Sequence, residues 1–240
     1  MSRPSILLTN DDGIDAPGLA SLYEELTAVG DVTVIAPAEN QSGVGRTRNG
    51  SVTLADHPWG YHLTGTPADC VAFGLGGGVE TGFDFVVAGV NDGPNIGNYV
   101  VGRSGTVGAC IEAAFLDVPG IAVSAYHSAD YHCYPAEDYQ FDRPARITRQ
   151  LLGQLQSTDV PTDFGFMNIN APVDCSSPPV RLTRLVADYD QRVEYETDNT
   201  QLTHGFHESV PDRDASQTDT DGTTVELIDK TWPHVDGYEN

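Results

Sequence analysis

Lysine is almost absent from this chain: a single Lys230 stands against 11 Arg, 24 Asp and 11 Glu, for a formal net charge of −23 over 240 residues. Nucleic-acid phosphates need a basic face, and none can be assembled here, so nucleic acid is excluded as a partner. So large an excess of short carboxylates repels itself unless salt screens it, and the composition reads as adaptation to a salt-rich cytoplasm. Folding and activity are therefore expected to require high salt; equal thermal stability in dilute buffer and in molar KCl would refute this. Cysteine is scarce too. Cys70, Cys110, Cys133 and Cys175 form no CxxC pair and no zinc spacing, which points to reduced, buried thiols in a cytosolic chain. Long apolar runs are missing: the longest, Phe83 to Val90, is far too short for a membrane helix. The apolar stretch after Met1–Pro4 is too brief for a secretion signal, so a cytoplasmic protein with no membrane partner is expected. No internal repeat is present, and the length suits one large domain with a full core.

What is present begins with Ser5-Ile-Leu-Leu-Thr-Asn-Asp-Asp-Gly13. A short apolar run ending in polar residues and glycine is how a buried parallel strand looks where it meets a working site. Two carboxylates held about 4 Å apart repel by about 1 kcal/mol in water and about 4 kcal/mol near a protein surface, so Asp11 and Asp12 invite a hard divalent cation such as Mg²⁺ or Mn²⁺. The plain alternative is a turn, since Asn, Asp and Gly all favour turns.

Downstream residues weigh between the two. Leu19, Leu22, Tyr23, Leu26 and Val29 recur at helical spacing, with Asp15 as the expected cap and Pro17 in the first turn. Val32 to Ala36 follows as a second buried strand, completing a βαβ unit with parallel strands. Ligands of such sheets gather beyond the carboxyl ends of the strands, where Asp11 and Asp12 fall. The loop after the second strand, Ala36 to Gly50, opens at the same edge and offers Ser42 as a small oxygen ligand. Its Arg46 and Arg48 suit either an anionic substrate or local charge balance around Asp11 and Asp12.

Val52–Leu54 and Tyr61–Thr64 read as a short hairpin, and Gly65 to Phe73 as a helix with Thr66 as cap and Pro67 at its first position. Phe83 to Val90 is a central strand that runs into a third polar loop at that edge, Asn91-Asp-Gly-Pro-Asn-Ile-Gly-Asn98. Ser104 to Leu116 reads as a helix. Its free N–H groups at Ser104, Gly105 and Thr106 make a phosphate cradle. Gly120–Ser124 and Phe164–Asn170 read as strands, and Asp142–Leu155 as an amphipathic helix capped by Asp142. Val180–Val186 and Gln191–Glu196 alternate like a hairpin, residues 198 to 222 form an acidic loop or arm, and no glycine-led final strand is evident near Thr218–Val225.

The ordered set Thr9 to Gly18, Asn40-Gln-Ser-Gly43, Gly65 to Val71, Gly89 to Gly97, Ser104-Gly-Thr-Val107, Gly120 to Ser124 and Asn168-Ile-Asn-Ala-Pro172 resembles the SurE family. Members of that family are survival-protein phosphatases acting on nucleoside 5′- and 3′-monophosphates. The resemblance implies an α/β, three-layer, Rossmann-like and mostly parallel sheet with a C-terminal hairpin or arm. It implies one domain over 1–240, with a core over 1–135 carrying the site and a part over 136–240 serving oligomerisation as a homodimer or homotetramer. It further implies one divalent metal per subunit, Mg²⁺ or Mn²⁺, on Asp11, Asp12, Ser42 and Asn91, with Asn95 and Ser104 to Thr106 lining the phosphate pocket. Asp11 or Asp12 then orients or deprotonates the attacking water. His127 and His132 are candidates for protonating the leaving group, although packing or surface roles suit each of them better.

Two other readings stay on the table. A covalent phospho-aspartate phosphatase would space its aspartates by one residue and use a downstream lysine, whereas Asp11 and Asp12 are adjacent and only Lys230 exists. A non-catalytic Rossmann-like nucleotide-binding module would carry G-x-G-x-x-G after the first strand, and this chain does not.

Overall fold

A computed structural model of the chain describes residues 3–127, 141–157, 165–175, 179–185 and 223–228. The first strand, β1 (Ser5–Thr9), lies mid-sheet, and its alternation decides two faces at once: Ile6 and Leu8 enter one apolar layer and Leu7 the other, all three fully buried. Such two-sided burial is the reason its sequence is a continuous apolar run. Helix α1 (Pro17–Leu26) covers the first face with Leu19, Leu22 and Leu26, each worth about 1.5–3 kcal/mol when fully buried. Asp15 does not cap it. Ala16 occupies the cap position without a side-chain bond, and Pro17, which has no N–H to satisfy and a preset φ, starts the helix.

β2 (Asp31–Pro37) pairs in parallel with β1, and the expected hairpin is present as β3 (Leu54–His57) and β4 (Gly60–Leu63), with β4 parallel to β2. Helix α2 (Pro67–Phe73) returns across the opposite face. Its start is a complete capping box: the Asp69 N–H donates to Thr66 Oγ1 at 3.2 Å and the Thr66 N–H donates to Asp69 Oδ2 at 2.9 Å.

β5 (Phe85–Asp92) then pairs with β1 on the side away from β2. It runs two residues beyond the expected Val90, because a register shift between Ala88 and Asn91 lets the strand bend and resume its ladder opposite Ser124. Gly89 makes this bend feasible: its φ is 132° and an added Cβ would stand 2.3 Å from the Val123 carbonyl oxygen. Asn91 and Asp92 are thus strand residues rather than loop residues.

After the single-turn α3 (Gly97–Val101) come α4 (Gly105–Phe115), β6 (Gly120–Tyr126), α5 (Asp142–Ser157) and β7 (Phe166–Pro172). α1 and α5 pack on one face and α2 and α4 on the other, giving three layers. β8 (Val180–Leu182) does not neighbour β7. A further strand, β9 (Thr223–Ile228), stands between them, antiparallel to β7 and parallel to β8. The expectation of no final strand there is corrected: Thr-Thr-Val-Glu-Leu-Ile is a β-favouring run that needs β7 as template. The described sheet has nine strands in the order β3-β4-β2-β1-β5-β6-β7-β9-β8. The second half of the expected hairpin, the 198–222 arm, Cys133 and His132 fall outside the described residues. No helix among the described residues is long and apolar enough to cross a membrane.

Candidate active site

Strand order reverses at β1: β2 and β4 lie on one side of it and β5, β6 and β7 on the other. At such a switch point the connections leave in opposite directions and open a crevice at the carboxyl ends. Asp11 and Asp12 leave β1 there, Ser42 lies in the connection after β2, and Asn91 and Asp92 end β5.

Asp11 is 3 % exposed and sits against the start of α4. Thr106 Oγ1 donates to its Oδ1 at 2.5 Å, and the Thr106 and Gly105 N–H groups also reach its carboxylate. These donors and the helix dipole favour the anion, yet burial dominates and pushes the Asp11 carboxyl above its ordinary range. Asp12 is raised to about 7, first by burial, then by the Asp11 carboxylate and, further down, by Asp92; the Asp92 N–H and the Asn40 amide work against the shift. The ion pairs seen among the described residues leave Asp11 and Asp12 out. Asp11 and Asp12 therefore share one partly dry place, with the Asp92 charge felt at Asp12.

The β2 connection is fastened to the β1 turn. The Gln41 N–H donates to the Asp11 carbonyl at 2.6 Å, and Asn40 bridges the two by donating to Asp12 Oδ1 at 3.3 Å and accepting from the Ser42 N–H at 2.9 Å. Asn91 Nδ2 donates to the Gly93 carbonyl at 2.6 Å, which fixes the orientation of the side chain. Ser104 caps α4, its hydroxyl accepting from the Val107 N–H at 3.1 Å. The cradle of N–H groups expected for phosphate is thus partly spent on holding Asp11. Asn95 is buried and donates to Ser124 Oγ at 2.9 Å.

Arg46 and Arg48 are turned away from Asp11 and Asp12. Both pair with the buried Glu112 of α4, at 3.1 Å and 2.9 Å, and Arg48 also reaches Asp69 at 3.4 Å. Charge balance is their role, with other partners than expected. His127 faces Asp174 at 3.5 Å. Burial pushes the Cys70 and Cys110 thiols far up, which makes them inert packing groups. Sequence reasoning missed the parts played by Asn40 and Asp92; both had a signal, since each lies beside a proposed ligand at a strand end.

Among the described residues no three His, Cys, Asp or Glu side chains gather in a metal-binding group. Any cation here would have the carboxylates of two adjacent residues and neutral oxygens for the rest, a donor set for a hard ion rather than zinc. Gly105 is required by the same crowding: an added Cβ would stand 2.7 Å from Asp11 Cβ and 2.9 Å from Oδ2. Gly105→Ala is expected to displace Asp11 and to cost about 1–3 kcal/mol of stability, read by urea unfolding.

Residues 6–192 match the family described as Survival protein SurE. A protein of Haloarcula marismortui called 5′-nucleotidase SurE is 42% identical over 239 residues, covering 98% of this chain and 80% of its own length. One of the same name from Rubrobacter xylanophilus is 37% identical over 250 residues, covering 96% and 91%. The crystal structure of the SurE protein from Aquifex aeolicus superposes with a TM-score of 0.73 at 28% identity, covering 95% of this chain and 94% of that one. The match takes in β1 through β7, so the switch-point crevice lies within it, and this chain belongs to the SurE family.

Proposed function

We propose that the chain is a divalent-metal-dependent phosphomonoesterase that hydrolyses nucleoside 5′- and 3′-monophosphates to nucleoside and phosphate, a phosphoric monoester hydrolase of the 5′-nucleotidase type. The observation that carries this reading is the pair Asp11–Asp12 at the switch point, Asp11 buried and Asp12 half-buried, with raised pKa values and no cationic side chain paired with either among the described residues. A bound Mg²⁺ or Mn²⁺ would polarise the phosphoryl group and lower the pKa of the attacking water. Asp11, Asp12, Ser42 and Asn91 would hold it, one ion per subunit.

The chain's own residues do the rest. Thr106 and Gly105 hold Asp11 in one orientation, and Asn40 ties Asp12 to the Ser42 loop. The amino end of α4 supplies positive potential for the equatorial phosphate oxygens, with Ser104, Gly105, Thr106 and Asn95 as phosphate-side residues. Asp11 or Asp12 would orient or deprotonate the attacking water.

The same reading includes a core over 1–135, an oligomerising part over 136–240, a homodimer or homotetramer, and a cytoplasmic location. Phosphate release from AMP, GMP and p-nitrophenyl phosphate in molar KCl tests it: activity with Mn²⁺ and loss with EDTA are expected. Activity that survives exhaustive chelation would end the proposal. Trapping a phospho-aspartate on Asp11 would instead favour the covalent route, and nucleotide binding without any release the binding module.

A further inference from the structure

We propose that Asn168 and Asn170 of β7 are positioning residues for phosphate binding, clamping the main chain of Asn95 and so setting the segment between β5 and α3. Both are fully buried in a strand that is otherwise apolar on both faces. Burying two amides is unfavourable unless each finds partners, and here those partners belong to another element. Asn170 Oδ1 accepts from the Asn95 N–H at 2.7 Å, while Asn170 Nδ2 and Asn168 Nδ2 donate to the Asn95 carbonyl at 3.2 Å and 2.8 Å. The Asn170 amide thus stands in for a strand neighbour, since β5 has ended at Asp92 and Asn95 has no ladder of its own.

The clamp also aims the Asn95 side chain. Its Nδ2 meets Ser124 Oγ at 2.9 Å, and Ser124 is the residue paired with Asn170 across β6 and β7. The Gly93 N–H adds a bond to the Ala125 carbonyl at 2.9 Å, so the segment is docked on β6 as well as on β7. Asn91 precedes this segment and Ser104 follows it, so a shift of Asn95 changes the phosphate side of the crevice while leaving the Asp11–Asp12 turn in place. The inference rests on the phosphomonoesterase reading above.

The test compares the parent with Asn170→Ala and Asn168→Ala in molar KCl with Mn²⁺. Five quantities are read: kcat and KM for AMP, Ki for inorganic phosphate, Kd for Mn²⁺, and the melting temperature. Asn170→Ala, which loses two bonds to Asn95, is expected to lower kcat/KM about a hundredfold, and Asn168→Ala, which loses one, about tenfold. Phosphate Ki rises in the same order and Mn²⁺ Kd stays at the parent's value. A folded Asn170→Ala with parental kcat/KM and Ki overturns the proposal, as does a loss of Mn²⁺ affinity in step with activity, which would mark a global structural role. Should the alanine variants not fold, Asn170→Ser, which removes both amide bonds to Asn95 without burying a charge, carries the same readouts; its failure to fold assigns a purely structural role and also overturns the proposal. Failure of the underlying reading looks different: the parent itself releases no phosphate, or Asp12→Asn is as active as the parent.

Discussion

Asp12→Asn is expected to lower phosphate release from AMP by about 10²–10³-fold while making the metal-free protein more stable. The two effects share one cause. The Asp12 carboxylate is desolvated and faces Asp11 and Asp92, which together hold its pKa at about 7. An amide of the same shape removes that repulsion and keeps the oxygen that accepts from Asn40. It also removes half of the negative charge available to a cation, so the stabilising effect of Mn²⁺ shrinks. Thermal melting in EDTA and in Mn²⁺, beside a phosphate-release assay, reads all three quantities. A variant that is fully active, or that melts below the parent in EDTA, would contradict the account.

The metal-free protein is further expected to lose stability as pH rises from about 4 to about 7, and added Mn²⁺ to abolish that loss. The unfolded Asp12 carboxyl gives up its proton around 3.8, whereas the folded one keeps it up to about 7. Between those values the native state binds more protons than the unfolded state, so the slope of unfolding free energy with pH is negative. Three pH units correspond to on the order of 4 kcal/mol, and Asp11, raised in the same direction, adds to the effect. A cation replaces the proton, so metal binding should release protons at neutral pH and weaken below it. Urea unfolding at pH 5 and 8, with EDTA or Mn²⁺, checks this; stability that climbs between those values in EDTA would refute it.

Much of the site could be read from the chain because parallel βαβ units send every strand's carboxyl end to one edge. Asp11, Ser42 and Asn91 each follow or close an apolar run, and that alone places them together. The strand end at Val90 was misjudged because a bend at Gly89 and a resumed ladder leave no local pattern; the pairing is supplied by β6. Asp15 failed as a cap because Pro17 made one unnecessary. β9 escaped notice because its template, β7, lies more than fifty residues upstream. The pairing of Arg46 and Arg48 with Glu112 was equally hidden, since the partner lies 66 and 64 residues downstream on α4.

The sequence by itself determined the class of fold, the family and the oxygen-rich rim, because apolar periodicity and short polar turns are local properties that repeat wherever the chain does. Only the tertiary structure decided which charges are answered and which are not. Burial at the switch point, the α4 amino end against Asp11, Asp92 beside Asp12 and the asparagine clamp on Asn95 arise between elements distant in sequence, where dielectric and distance, rather than residue order, set the energies.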